Sequence, residues 1–343
     1  MIKRVLIVGF GSIGKRHLGL ARELLPNADI RVLRHQITSD IPDNSNGCFF
    51  NIEDAIKFSP QIAVIASPAP FHIQTAEALA FLGTHLLIEK PLSSSVDGVS
   101  KLLEICQSQG VVLLTGYNLR FLPSLQKFRH LLNDGLIGKI LSVRCEVGQY
   151  LPSWRPNDDY QLSVSAQSKL GGGVLLELSH EIDYLRWIFG EVAWVKATLS
   201  RQSNLDIDVE DSVNMVLGFF TGSDDYQLLS YVNLDFIRHD TTRVCVAIGE
   251  KGSLRWDGLT GKLDLYELGK KSWYELFGNK DRRDDTYKAE WLDFLECVTH
   301  NKLPLISGDD GLKVLEIIEA AKKSSLIDEK VFITPFQNLG GVN

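Results

Sequence analysis

Between Arg4 and Gly116, short β-branched runs alternate with stretches whose apolar residues recur at helical spacing. The runs at 4–8, 30–33, 62–66, 85–88 and 111–115 predict strands, and the stretches at 14–25, 52–57, 71–82 and 96–107 predict helices between them. Each strand-to-strand spacing leaves room for a βαβ crossover. The expected result is an α/β domain, a doubly wound parallel sheet covered by helices on both faces.

After Tyr117 the texture changes. A helix at 124–134 leads to a strand at 140–150, an irregular stretch with Pro152, Pro156, Asp158 and Asp159, and a second helix at 173–189. Strands follow at 194–200, 211–219, 227–234, 242–249, 252–257 and 262–267, separated by Gly and Asp turn signals. Strands joined by short turns predict a large, open, mostly antiparallel sheet. Helices at 286–300 and 308–324 close the chain, and Trp291, Phe294, Leu295 and Val298 form an apolar stripe suited to packing back on the first domain. The expected division is 1–118 and 119–343.

Composition narrows the function classes. A length of 343 residues with 44% hydrophobic and 23% charged content describes a folded chain large enough for two cores. The net charge of −7 provides no basic field for a phosphate backbone, so nucleic acid is not an expected partner. Cys48, Cys106, Cys145, Cys245 and Cys297 are odd in number and never in C-x-x-C spacing, which predicts reduced core thiols with no metal and no disulfide. The apolar run Val5 to Val8 is too short for a signal-peptide core, and no run approaches the roughly 20 residues of a membrane span. A cytoplasmic protein without a membrane partner is expected.

Gly9-Phe10-Gly11-Ser12-Ile13-Gly14 follows an apolar strand and opens a helix, the context in which G-x-G-x-x-G marks a Rossmann dinucleotide site. Gly9 permits the tight turn, Gly11 lets the backbone approach a pyrophosphate, and Gly14 allows close helix-strand packing. The helix N-terminus, from Ser12 and Ile13 onward, adds N–H groups and positive dipole. About 20 residues on, where an acid would bind the ribose 2′-OH of NAD, stands Arg34. Arginine can pair with a 2′-phosphate and stack on adenine, so the expected cofactor is NADP(H) ahead of NAD(H), with Asp40 or a backbone contact as the route to NAD.

Two further segments suggest chemistry. Glu89-Lys90-Pro91 ends a predicted parallel strand, on the side where ligands of open α/β sheets bind. A partly desolvated Lys90 there could exchange a proton with a substrate hydroxyl, with Glu89 orienting it and Pro91 setting the turn. In the predicted helix at 173–189, Glu177, His180, Asp183, Tyr184 and Trp187 share about one third of the circumference. Ile182, Leu185 and Phe189 would seat that helix on its core, leaving the polar stripe to look into a cleft. His180 between two carboxylates is a candidate proton acceptor, and a satisfied half-buried histidine is the plainer alternative.

In this order the segments resemble the glucose-fructose oxidoreductase / inositol dehydrogenase / MocA family. The resemblance covers Gly9 to Gly14 with Lys15, Arg16 and His17, then Ala66-Ser67-Pro68-Ala69-Pro70-Phe71-His72, Glu89-Lys90-Pro91, Gly116-Tyr117-Asn118-Leu119-Arg120-Phe121, and His180 with Asp183 and Trp187. It implies a Rossmann domain followed by an α/β domain whose open sheet packs against other subunits of a homo-oligomer, a dimer or tetramer. It also implies hydride transfer between a nicotinamide and a hydroxyl-bearing carbon of a sugar or cyclitol. By this resemblance Lys90 leads proton transfer with His180, Glu177 and Asp183 as partners. Ala66, Ser67, Pro68, His72 and Glu89 lie near the nicotinamide half, and Asn118 and Arg120 join the substrate site. One departure is that many members place an Asp four residues before the His, whereas here Glu177 stands three before and position 176 is Leu. The stretch at 149–160, with Trp154, Arg155 and Tyr160, is similar to relatives serving surface-polysaccharide or nonulosonic-acid sugar pathways, and its aromatic and guanidinium groups suit a sugar ring and an anionic substituent. Two other readings stay open: a glycoside hydrolase that retains its NAD, and a non-enzymatic dinucleotide sensor.

Overall fold

The computed structural model describes residues 2–35, 40–154, 156–220, 227–278 and 284–333. The chain divides into two compact units. The first is Met1–Phe121 with Ser168–Gly172 and Arg282–Leu315, so it takes in segments that a single boundary at 118/119 assigns to the second domain. The second is Leu122–Gln167, Gly173–Asp281 and Glu316–Asn343.

In the first unit β1 (Arg4–Val8), β2 (Asp29–Leu33), β3 (Gly47–Phe49), β4 (Ile62–Ile65), β5 (His85–Glu89) and β6 (Leu113–Gly116) form one sheet. All its pairings are parallel, in the order β3-β2-β1-β4-β5-β6. Helices α1 (Ser12–Leu24), α2 (Ile52–Lys57), α3 (His72–Ala80) and α4 (Val99–Gln109) make the crossovers. The expected doubly wound sheet is therefore present, with β3 as an addition. That strand is short and half-buried throughout, so it carries no apolar signal to read.

The second unit opens with α5 (Pro123–Asn133) and β7 (Ile140–Gly148). The helix expected at 173–189 is two helices, α6 (Val174–Glu177) and α7 (His180–Phe189). Ser179 explains the break: its buried hydroxyl donates to the Leu176 carbonyl at 2.8 Å, a local bond that competes with the helical ladder, and Leu178 leaves helical geometry at φ −100°, ψ 25°. The remaining strands are β8 (Val192–Ser200), β9 (Ser212–Phe219), β10 (Leu229–Asp235), β11 (Thr242–Gly249), β12 (Gly252–Asp257), β13 (Lys262–Glu267), β14 (Tyr274–Gly278) and β15 (Val331–Phe332). They join β7 in a nine-stranded sheet, β14-β13-β12-β11-β7-β10-β9-β8-β15, antiparallel except where β10 runs parallel to β7. The edge strands β14 and β15 lack alternating burial, and for that reason left no strand pattern in the sequence.

Two long helices follow, α8 (Asp285–His300) and α9 (Gly308–Ile327). Within the first unit, Trp291 and Phe294 of α8 share a core with Leu18 and Ala21 of α1 and with Val5, Ile30, Val64 and Leu87 of the sheet. The apolar stripe read from the sequence is thus buried there. Ser307 bridges to Leu114, and Thr115 donates its backbone N–H to Ile306 O and its hydroxyl to Ser307 O, both at 3.0 Å. None of the described helices is long and apolar enough to cross a membrane.

Glu290 on α8 is fully buried, and neither carboxyl oxygen has a hydrogen-bond partner among the described residues. Burial, then the Glu89 and Asp293 charges, push its pKa well above the usual carboxylate range. A raised folded pKa contributes stability that is present below the unfolded value and lost as pH rises through the folded one. Glu290→Gln should therefore be near neutral at about pH 4 and stabilising by about 1–3 kcal/mol at pH 8, read from urea midpoints across that range.

Candidate active site

Strand order reverses between β1 and β4, and the crevice beyond the carboxyl ends of these strands is where open α/β sheets bind ligands. The glycine turn sits there. Gly9 has φ +90°, and a Cβ on it would stand 2.7 Å from Ala66 O. On Gly14 a Cβ would stand 2.2 Å from Gly9 O, so α1 starts as close to the turn as backbone permits. A Cβ on Gly11 would meet nothing within 4 Å, and Gly11 and Ser12 are exposed while Ile13 is half-buried. No side chain caps α1 and no acid stands in its first turn. Across the crevice the buried Ser67 Oγ has no hydrogen-bond partner among the described residues. An open backbone cradle, an uncapped helix N-terminus and an orphan hydroxyl fit a dinucleotide pyrophosphate with its nicotinamide arm. The half-buried Ala66 and Pro68 flank Ser67.

Just beyond β2, the Arg34 guanidinium lies over the rings of Phe10, at 5.7 Å, and Phe50, at 5.8 Å, and Nη2 donates to Asp40 O. The Phe10 contact joins the guanidinium to the glycine turn.

Beyond β5, Lys90 is half-buried and its peptide bond to Pro91 is cis. His72, 1% exposed, places Nε2 2.7 Å from Ser67 O and Nδ1 3.2 Å from Pro91 O. Burial pulls the His72 pKa below its ordinary value, outweighing three carbonyl acceptors that favour an imidazolium, the third being Leu92 O at 3.3 Å from Nδ1. His72 was expected beside the cofactor; enclosed and bonded to both turns, it shapes the site from behind. Two expected substrate residues are buried as well. Asn118 is buried and donates from Nδ2 to Thr286 Oγ1 at 3.0 Å. Arg120, 3% exposed, donates to Leu305 O and pairs with Asp310, both at 3.2 Å. Both fasten the C-terminal segment to the first unit.

In the second unit the break before α7 separates Glu177 from the helical face carrying His180. These two are half-buried, whereas Asp183 is 1% exposed and Tyr184 fully buried. Tyr184 Oη lies 3.0 Å from Cys145 Sγ, and its ring meets Trp256 edge-on at 5.4 Å. Of the expected stripe, Tyr184 is therefore committed to the core of the second unit, while Asp183 is buried and Glu177 and His180 are half-buried. The Trp154 indole N–H donates to Gln149 O and its ring packs edge-on against Phe236, while Tyr160 Oη accepts the Asp206 N–H. These bonds order the loop. Arg155 lies outside the described residues.

Sequence reasoning missed Glu210 and Glu290. Glu210 Oε1 accepts the Leu175 N–H at 2.9 Å and fills the space a Cβ on Gly173 would need, fixing the start of α6. Nothing in local spacing points to it, since its partner lies 35 residues away. Burial pushes the Glu210 carboxyl pKa up. His17, noted only within the resemblance, proves to be fully buried and bonded on both ring nitrogens. Among the described residues, no group of three or more His, Cys, Asp or Glu is placed to hold a metal.

Comparisons with known proteins bear on the family and the fold. Residues 3–117 match the oxidoreductase family's NAD-binding Rossmann fold, and residues 129–331 match the same family's C-terminal alpha/beta domain. A myo-inositol 2-dehydrogenase of Thermotoga maritima is 29% identical over 275 residues, covering 78% of this chain and 77% of that protein. An uncharacterized oxidoreductase of Synechocystis sp. is 32% identical over 141 residues, which span 41% of this chain but only 37% of that protein. A levoglucosan dehydrogenase solved in complex with NADH shares the fold, with a TM-score of 0.83 at 20% identity over 97% of this chain and 99% of that one.

The glycines give a clean contrast. Gly14→Ala should destabilise the protein by roughly 1–3 kcal/mol, as overpacking does. Gly11→Ala should melt like the parent while losing at least about tenfold in dinucleotide affinity, because its methyl would occupy only the cradle. Melting curves with and without NADPH check both.

Proposed function

The chain belongs to the glucose-fructose oxidoreductase / inositol dehydrogenase / MocA oxidoreductase family, and on that premise we propose that it transfers hydride between a nicotinamide dinucleotide and a hydroxyl-bearing carbon of a sugar, sugar nucleotide or cyclitol. One observation carries the reading. Lys90 stands half-buried at the end of β5, two strands along the same sheet from the open glycine turn beyond β1. A proton-transfer group thereby shares the binding edge with a dinucleotide cradle.

Gly9, Gly11, Ser12, Ile13 and Gly14 hold the pyrophosphate, Arg34 the adenosine ribose, and Ala66, Ser67 and Pro68 the nicotinamide half. When bound, the nicotinamide gives or takes the hydride at its C4. Lys90 Nζ takes the hydroxyl proton in oxidation and returns it in reduction, since an alkoxide developing away from water is costly. His180 is the second group at the substrate hydroxyls, with Glu177 as its nearest acid in sequence. Arg34 gives the preference for NADP(H), because a guanidinium stands where an acid would select NAD. The aromatic loop at 149–160 is the basis for extending the substrates to sugars of surface-polysaccharide or nonulosonic-acid metabolism, and the open sheet for a homo-oligomer.

A screen of the purified protein with NAD and NADP against aldoses, cyclitols and sugar nucleotides should show cofactor reduction, faster with NADP. Lys90→Ala should lower turnover by about 10²–10⁴-fold with NADPH affinity nearly unchanged, and near-normal turnover would sink the role of Lys90. Arg34→Ala should weaken NADPH about 10–100-fold and NADH little, measured by fluorescence titration. Release of free sugar from an aryl glycoside without net cofactor change would replace the dehydrogenase reading with a hydrolase, and tight binding without turnover would replace it with a sensor.

A further inference from the structure

We propose that Lys90 is aimed by a buried relay starting on α8, Trp291 to His17 to Glu89, which makes His17 and Trp291 positioning residues for proton transfer. The inference rests on the hydride-transfer reading of Lys90.

The direction of each bond follows from the one member with no choice. An indole N–H can only donate, and Trp291 Nε1 donates to His17 Nδ1 at 2.9 Å. With Nδ1 accepting, the His17 ring carries its proton on Nε2 and donates it to Glu89 Oε1 at 2.7 Å. The other oxygen, Glu89 Oε2, accepts the backbone N–H of Lys90 at 3.2 Å. His17 and Trp291 are fully buried and Glu89 is 7% exposed, so solvent does not compete for these bonds. Gly116 closes the remaining side, since a Cβ there would stand 3.2 Å from Glu89 Oε2 and 3.3 Å from Lys90 N.

Around this line stand Arg16, whose guanidinium lies 4.8 Å over Tyr287, and Tyr287 itself, edge-on to His17 at 5.8 Å. Glu290 and Asp293 lie on the same helix as Trp291. A packing contact alone would need only apolar groups of matching shape. Matched donors and acceptors over three links instead fix the rotation of one carboxylate, and with it the peptide that begins the Lys90 turn. Neither His17 nor Trp291 touches substrate, so their loss appears in turnover and not in binding.

The test combines steady-state kinetics, on the substrate found by the screen, with amide hydrogen exchange at Lys90. His17→Leu should lower kcat about 10²-fold, with KM for the dinucleotide within about threefold, and should speed Lys90 amide exchange at least about tenfold. His17→Gln, whose amide oxygen can accept from the indole while its NH₂ donates to Glu89, should restore most of both. Trp291→Phe keeps the ring and removes only the donor, so it carries the same test if His17→Leu fails to fold; it should lower kcat and loosen Lys90 to an intermediate degree. Parental kcat and Lys90 protection in His17→Leu or Trp291→Phe would overturn the relay, and so would His17→Gln performing no better than His17→Leu. If the parent protein turns over no substrate, the hydride reading falls alone, and Lys90 exchange still decides whether the relay exists.

Discussion

No side chain fits at Gly9 or Gly14. The first would place a Cβ 2.7 Å from Ala66 O and the second 2.2 Å from Gly9 O, both inside van der Waals contact. That steric limit lets the turn after β1 lie against the turn after β4, and lets α1 begin directly above them. The N–H groups of a helix start and an open glycine backbone then face the crevice where strand order reverses. From there the carboxyl edge of the sheet is laid out by strand order: Arg34 beyond β2, Ser67 beyond β4, Lys90 beyond β5.

Packing turns this tightly buries polar groups, and a buried group left unbonded costs about 1–3 kcal/mol. The first unit answers mostly with side chains distant in sequence. His72 ties the Ser67 turn to the Pro91 turn, Arg120 reaches Leu305 and Asp310, Asn118 reaches Thr286, and Trp291 reaches His17. Ser67 and Glu290 are treated differently. The Ser67 hydroxyl, at the crevice, suits a ligand partner, whereas burial and like charge push the Glu290 carboxyl pKa up, which disfavours its charged form.

The second unit shows how one local bond redirects a motif. Ser179 donates to the Leu176 carbonyl, the helix breaks, and His180 becomes the first residue of a new helix. Glu210 then fixes the short helix before the break by accepting the Leu175 N–H. Tyr184 turns inward onto the nine-stranded sheet, where it packs on Trp256 and bonds with Cys145.

Sequence alone determined the doubly wound sheet, the mostly antiparallel sheet, the glycine cradle and the candidacy of Lys90 and His180. These rest on period, on local turn chemistry and on residue types whose requirements hold within a few neighbours. Tertiary structure decided the rest. The edge strands Gly47–Phe49, Tyr274–Gly278 and Val331–Phe332 exist through pairing and not pattern. Arg120, Asn118 and His72 read from the sequence as ligand residues, and only the tertiary structure revealed their burial and, for Arg120 and Asn118, partners more than 160 positions away. The bond between His17 and Trp291 spans 274 positions, a separation at which no periodicity survives; only the return of the C-terminal helix to the first core brings donor to acceptor.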